Sequence, residues 1–456
     1  MSFFDAILQN LPEVAGPEQK KLGFKEKFKW TLITLVLFYV LGLVPLYGLG
    51  SNALQQFEFL SIILGASFGS IISLGIGPIV TGSIVLQLLN GSGILKFDLT
   101  SHEGKARFQG IQKLLSIFFI LFEAGIYVGM GGLQPAAGIP ALFLVFQLFL
   151  GGMIILFMDE IVSKWGFGSG ISLFIAAGVS QSVLIRALNP FASPTNPTIA
   201  AGAIPAIFQS LARGDPMTSV RLLASIAATV VVFMIVVYVQ SMKVEIPLSF
   251  GRVRGHGIRW PLNFMYTSNI PVILVAALIA NVQLLGSLLQ NWGYPLFGHF
   301  SGGQAISGFA FWLNPPNVLE QILTGSISVL TFLHALVYIF VLMGGSVLFS
   351  YFWVQTSGMD ARSQAEQMLK SGLQVPGFRK DARVLERLLE RYIGPLTFMG
   401  GCAVGLLAAL ADISGALTSG TGLLLTVMIV YKLYEDIARQ HMMDMNPMMR
   451  QFMGGS

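Results

Sequence analysis

The chain has 456 residues, 54% of them apolar and only 11% formally charged, with a net charge of +5. An average soluble domain carries about 25% charged residues, so this composition excludes a water-soluble globule and points to a chain built for lipid. The one cysteine, Cys402, allows no intrachain disulfide and leaves the redox compartment unread.

A bilayer core of about 30 Å needs roughly 20 consecutive apolar residues per helix. Taken in chain order, the stretches between charged residues predict ten spans. The first is Trp30 to Leu46 and the second lies within the uncharged run Phe59 to Leu95. Leu114 to Met130, Ile139 to Met158, Trp165 to Ile185 and Leu222 to Met242 follow. The uncharged run Trp260 to Leu319 holds a seventh span near Leu262 to Leu289, then an external loop with Pro295, Pro315 and Pro316. An eighth falls within Gln321 to Met359, and Tyr392 to Ala411 and Ile413 to Tyr431 are the ninth and tenth, parted by a tight turn. Barrel strands would show alternating segments of about 10 residues, so an all-α integral membrane bundle is expected. Residues 1–29 are charged and amphipathic, and no signal peptide is expected there.

An even number of spans puts both termini on one side. Lys20, Lys21, Lys25, Lys27, Lys29, Lys105, Arg107, Lys164, Lys243, Arg362 and Lys432 are among the basic residues of that side, against Arg186, Arg213 and Arg221 opposite. The positive-inside rule makes the basic side cytoplasmic. The expected organisation is a cytoplasmic segment 1–29, a first half 30–188 with five spans, an external linker 189–214 and a second half 215–436. A cytoplasmic tail 437–456 closes the chain. Two sets of five spans start from opposite sides of the membrane, as in an inverted repeat. Ten spans without internal symmetry fit the same sequence.

The second run is irregular. Leu60 to Phe68 is short and apolar, and Gly69, Ser70, Gly75, Gly77 and Pro78 precede a second apolar stretch, Ile79 to Leu89. Glycine costs a helix interior about 1 kcal/mol and proline about 3 kcal/mol, which predicts a break near Gly75 to Pro78 and two half-spans. Irregular backbone at membrane depth must be buried in protein or line an aqueous cavity. A single helix kinked at Pro78 is the simpler alternative.

Glu123 is the one acidic or basic residue read as lying well inside a span, with Thr81 and Asn281 as candidate hydrogen-bond partners across helices. Snorkelling, or a neutral carboxyl on backbone carbonyls, would also accommodate it. Two basic cytoplasmic loops stand out. Lys243 to Arg259 has a pliable backbone at Gly251, Gly255 and Gly257, and Asp360 to Arg391 carries seven basic residues, Arg379 among them. Projecting arginines suit a phosphate backbone such as ribosomal RNA, while topology or anionic lipid alone explains many such loops. No phosphate loop, zinc motif or cysteine pair is present, so no enzymatic activity, metal or cofactor is expected. Gly166 to Gly170, with Ser169 at its centre, superficially matches a nucleophile motif but fits a close-packed helix start. A five-plus-five secondary transporter with a broken helix at its binding site accounts equally for the topology, though not for the sparse intramembrane polar residues or the long basic loops.

The string LGIGPIVTGSIVLQLL from Leu74 to Leu89 resembles the second span of the SecY family, the channel subunits of the Sec translocon. GFGSGISLFIAAG from Gly166, FMYTSNIPVIL from Phe264, GGSVLFSYFWVQTSG from Gly344 and GTGLLLTVMIVYKLYE from Gly420 agree with it. The resemblance covers essentially the whole chain and is to the archaeal and eukaryotic branch. It implies an hourglass channel of two inverted halves with a plug and a lateral gate, carrying secretory polypeptides across the membrane and apolar segments sideways into lipid. The plug maps to about Leu60 through Ser70, namely Leu60, Ile62, Ile63, Leu64, Gly65, Ala66, Ser67, Phe68, Gly69 and Ser70. The pore ring maps to Ile76, Val80, Ile171, Ile175, Ile273 and Leu425, with Leu424 the competing choice. Thr81, Glu123 and Asn281 resemble the gate's polar cluster, and Arg252, Arg254 and Arg379 the ribosome-docking positions. The implied partners are a small SecE-like (gamma) subunit, a Sec-beta-like subunit, the ribosome, signal sequences and nascent chains.

Overall fold

The computed structural model describes residues 10–18, 22–50, 69–91, 94–95, 97, 102–129, 133–192, 199–250, 257–267, 269–291, 293–301, 304–370, 373–374 and 382–445. Among them are fourteen helices. They are α1 (Phe24–Leu43), α2 (Gly77–Gly91), α3 (His102–Gly129), α4 (Ala141–Trp165), α5 (Gly170–Leu188), α6 (Ala203–Ala212), α7 (Pro216–Ser241), α8 (Ile270–Asn291), α9 (Phe309–Trp312), α10 (Val318–Leu323), α11 (Val329–Thr356), α12 (Ala361–Lys370), α13 (Ala382–Ile413) and α14 (Gly420–Met445). Five strands complete the described structure: β1 (Lys243–Phe250), β2 (Gly257–Asn263), β3 (Phe300–Ser301), β4 (Gln304–Ala305) and β5 (Leu373–Gln374).

The ten expected spans correspond to α1, α2, α3, α4, α5, α7, α8, α11, α13 and α14. Seven helical stretches among the described residues are long and apolar enough to cross a membrane by themselves. The other three spans fall short for visible reasons. Helix α2 has only 15 residues, α1 opens on Lys25, Glu26, Lys27 and Lys29, and α14 carries Lys432, Glu435 and Asp436. Phe118, Leu121 and Phe122 on α3 and Val230, Phe233 and Met234 on α7 are exposed large apolar side chains, as expected of membrane-spanning helices.

Several expectations need correction. Ile413 and Gly420 are joined by residues 414–419 rather than a tight turn. Asp412, read as part of that turn, is the penultimate residue of α13 and accepts a 2.8 Å hydrogen bond from the Tyr338 hydroxyl on α11. The external linker is partly helical, because α6 occupies Ala203–Ala212, and the Gly202 amide donates to the Asn189 carbonyl at 2.8 Å. The loop 243–259 is not simply pliable. Val244, Ile246, Leu248 and Phe250 alternate with Lys243, Glu245, Pro247 and Ser249, and that period of two forms β1, paired antiparallel with β2 from Lys243↔Asn263 to Ser249↔Gly257.

The described chain divides into two compact units. The first comprises Met1–Gly82, Lys113–Val230 and Ala416–Ser456, and the second Ser83–Gln112 and Val231–Gly415. In the first, a core of Leu46, Ile72, Ile79, Ile120, Leu144, Leu148, Ile155 and Phe174 is closed by α1, α3, α4 and α5. Glycine permits the tightest approaches: a Cβ on Gly151 would lie 1.8 Å from the Ile71 carbonyl oxygen. In the second, α13 lies on α11 through Gly401 and Gly405, where a Cβ would meet Ser350 Oγ at 2.7 Å and the Leu342 carbonyl oxygen at 2.7 Å. This is the small-residue spacing that lets membrane helices approach backbone to backbone. The sheet β2-β1-β5 packs its buried Ile246 and Leu262 against Val354, Leu385 and Leu389 of α11 and α13. The Tyr266 hydroxyl donates to the Met359 carbonyl at 2.7 Å and seals that layer.

Candidate functional site

The start of α2 is the irregular point of the first unit. Residues 71–76 form turns, Gly75 takes a left-handed φ of 56°, and the helix begins at Gly77 with Pro78 in its first turn. Only glycine adopts that φ freely, and a first-turn proline loses no helical hydrogen bond. The expected break is therefore real on the described side. The preceding half-span, residues 60–68 of the expected plug, lies outside the described residues. Gly69 and Ser70 are described: the Leu46 amide donates to the Gly69 carbonyl at 2.9 Å, and Ser70 forms a bridge with Pro45.

Ile76 ends the turn and Val80 follows within the first turn of α2, its amide donating to the Ile76 carbonyl at 3.1 Å. Val80 is buried and Ile76 half-buried at the edge of the first unit's core. Ile171 and Ile175 share one face of α5 and are likewise half-buried, while Leu173, Phe174, Ala176 and Ala177 point into protein. Leu424 and Leu425 on α14 are both buried. Ile273 and Asn281 lie on α8 of the second unit.

Glu123 on α3 meets Thr81 on α2. The Thr81 hydroxyl stands 3.2 Å from Glu123 Oε1 and 2.9 Å from the Gly77 carbonyl, and Gly77 itself leaves its Cβ position 3.5 Å from Glu123 Oε2. One carboxyl is thus held against the first turn of the half-span, where the helix dipole is positive.

Two features escaped the sequence reading. Asp159, beyond the expected end of the fourth span, accepts the Ile171 amide of α5 at 2.9 Å. Residues 12–15 are strapped to α3 and α4: the Val14 amide donates to Glu160 Oε2 at 2.9 Å and the Trp165 indole to the Ala15 carbonyl at 2.9 Å. Lys113 pairs with Glu160 and Lys164 with Glu13. The closely spaced Asp159, Glu160 and Lys164 at a span end were the available signal.

The basic loops converge in the second unit. Strand β5, from the loop 360–391, pairs antiparallel with β1, placing Leu373 opposite Phe250 and Gln374 opposite Ser249. Phe250 is the residue that leads into 251–256, so the two loops share one sheet. Arg252, Arg254 and Arg379 themselves lie outside the described residues.

Comparison with known proteins gives the class, the pore-forming subunit of a protein-conducting channel. The chain matches a solved structure of a protein-conducting channel with a TM-score of 0.83 at 43% identity, covering 96% of this chain and 97% of that one. It also matches Sec61 in a canine ribosome–channel complex from the endoplasmic reticulum, with a TM-score of 0.80 at 43% identity over 96% and 97% of the two chains. The SecY family model matches residues 70–434, and the model described as the plug domain of Sec61p matches residues 36–69. A protein translocase subunit SecY of Methanothermobacter thermautotrophicus is 47% identical over 455 residues, 99% of this chain and 98% of its own. The chain belongs to the SecY family. It serves protein translocation as a channel subunit, not as an enzyme, and the transporter alternative is set aside.

Proposed function

We propose that Ile76, Val80, Ile171, Ile175, Ile273 and Leu425 form the constriction through which polypeptide passes, and that residues 60–70 form the plug that seals it at rest. The observation carrying this reading is the turn 71–76 ahead of α2, with Gly75 at a left-handed φ of 56°, which puts Ile76 at the end of the turn and Val80 in the first turn of the helix. Irregular backbone at that depth is tolerable against protein or an aqueous path. Branched aliphatic side chains suit a path that must accept any sequence, since they offer no hydrogen bond and gate by dewetting.

Leu425 is favoured over Leu424 by helix geometry. Helices α5 and α14 run antiparallel, with the Arg186 guanidinium donating to the Leu417 carbonyl and Val179 facing Gly422. One turn on, Ile175 stands level with about residues 425–426, and Leu425 shares the face of Gly422 at a spacing of three whereas Leu424 does not.

Thr81, Glu123 and Asn281 set the balance of a lateral gate that releases apolar segments into lipid. Both termini and the sheet β2-β1-β5 face the cytoplasm, as the bias of lysine and arginine supports. There Arg252, Arg254 and Arg379 dock the ribosome, and the chain works in the cell membrane with small SecE-like and Sec-beta-like subunits.

Single-channel conductance of the purified complex in planar bilayers tests the constriction. Replacing Ile76, Val80, Ile171 and Ile175 by glycine should open a wetted path that conducts without substrate, whereas deleting residues 60–70 should leak intermittently. Folded ring variants as silent as the unaltered chain would show these residues to be ordinary packing.

A further inference from the structure

The helix that carries Ile171 and Ile175 has no cap of its own. Its N-cap residue, Ser169, is extended and makes no side-chain capping hydrogen bond, and Gly168 before it turns through a left-handed φ of 71°. The first amides of a helix need acceptors, and here one comes from the preceding helix. Asp159, one and a half turns before the end of α4, reaches the Ile171 amide at 2.9 Å and also accepts the Gly170 amide. Its Oδ1 is 3.5 Å from the Ser169 hydroxyl. The approach is close enough to exclude a side chain at Gly170, where a Cβ would lie 2.6 Å from Asp159 Cα. The carboxyl bonds backbone of α5, and the Gly170 position lies against backbone of α4, so the two helices are joined at this point.

We infer that Asp159 is a positioning residue for the pore: its carboxylate, acting through the Gly170 and Ile171 amides, fixes the height and rotation of α5 and hence where Ile171 and Ile175 stand. This rests on the reading of those isoleucines as part of the constriction. A helix rises 1.5 Å and turns about 100° per residue, so a slip of one residue at the α5 start would swing both side chains off their face. The carboxylate also meets the positive end of the helix, which favours this register over its neighbours. Phe167 anchors the preceding turn, being buried with its amide donating to Thr31 Oγ1 at 3.1 Å, but Ser169 makes no capping hydrogen bond, so no local side chain takes the place of Asp159 at the helix start.

The test compares Asp159→Leu, Asp159→Asn, Gly170→Ala and Ile171→Gly by single-channel recording at matched amounts of folded protein. Asp159→Leu removes the acceptor, and Gly170→Ala keeps the carboxylate but pushes the helix away. Each should raise substrate-free opening at least tenfold over the unaltered channel. Asp159→Asn keeps an acceptor oxygen and should stay within about twofold, whereas a merely space-filling role would spare the similarly shaped Asp159→Leu as well. Should Asp159→Leu fail to fold, Gly170→Ala carries the test. Silence of both, with Ile171→Gly leaking, would overturn the anchor and leave the constriction intact. A silent Ile171→Gly would overturn the constriction and the anchor with it, and equal leakage from Asp159→Asn and Asp159→Leu would overturn the hydrogen-bonded anchor.

Discussion

Lys113 on α3 and Glu160 on α4 form an ion pair whose side chains are only 11% and 17% exposed. Glu160 also takes the Val14 amide, and Lys113 the Pro12 carbonyl, so one pair ties two spans and the N-terminal segment together. Removing one partner strands a nearly buried charge, which typically costs about 3 kcal/mol, while removing both restores much of it. Glu160→Leu should therefore lower the unfolding midpoint in detergent clearly, and Lys113→Met with Glu160→Leu should recover most of the loss. Equal midpoints for the single variant and the unaltered chain would show the pair to be inert.

The strap should release in acid. The Lys164 ammonium, by hydrogen bond and then by charge with Lys113 adding to it, holds the Glu13 carboxyl below the usual range for glutamate. A lowered value in the folded state means that the contact stabilises fully above the ordinary glutamate range and is lost as pH falls through the lowered one. Hydrogen exchange at the Val14 amide, corrected for its intrinsic pH dependence, should show protection at neutral pH that declines in strong acid. Glu13→Gln should weaken that protection at every pH. Protection unaltered by either would mean that Glu13 does not hold the segment.

Ile246 is fully buried between the sheet and α13. Truncation to alanine should cost about 3 kcal/mol locally and loosen the sheet that joins both basic loops. Ribosome co-sedimentation should therefore weaken for Ile246→Ala as well as for the charge reversals Arg254→Glu and Arg379→Glu. Binding should also fall with added salt, as phosphate contacts do. Arginine reversals that bind normally in high and low salt would remove these loops as the docking site.

The Thr81–Glu123 bond should bias gating without holding up the fold. Hydrogen bonds between membrane helices average about 0.6 kcal/mol, so Thr81→Val should shift the hydrophobicity at which signal segments engage and leave the amount of folded protein unchanged. A threshold that stays put in Thr81→Val, Glu123→Gln and Asn281→Leu alike would make the cluster structural only.

Gly405 should tolerate nothing larger. Its Cβ position meets backbone of α11, Leu342 O and Met343 Cα both at 2.7 Å, and backbone cannot swing aside as a side chain can. Gly405→Val should cost about 3 kcal/mol through overpacking and lower the yield of folded protein. Gly394, with open space around its Cβ position, is the control: Gly394→Ala should fold normally.

Local chemistry made much of this molecule legible before any coordinates. Runs of about 20 apolar residues have one stable form in lipid, so the spans followed from composition and length. Gly75 and Pro78 act through their own φ preferences, so the helix break could be read from those residues alone. Strand β1 was missed although residues 243–250 alternate with a period of two, because the basic residues and glycines that follow read as a pliable loop. What joins distant segments was not legible. Pairing Leu373 with Phe250, giving Asp412 to Tyr338, or sending Asp159 to the amide of Ile171 depends on which surfaces packing brings within 3 Å of each other. A carboxylate at a span end reads the same whether it faces water or caps the next helix. The residue types determined that this chain lies in a membrane and where its second span breaks; only the tertiary structure decided which helix each buried polar group holds, because hydrogen bonds are short and directional while sequence distance is neither.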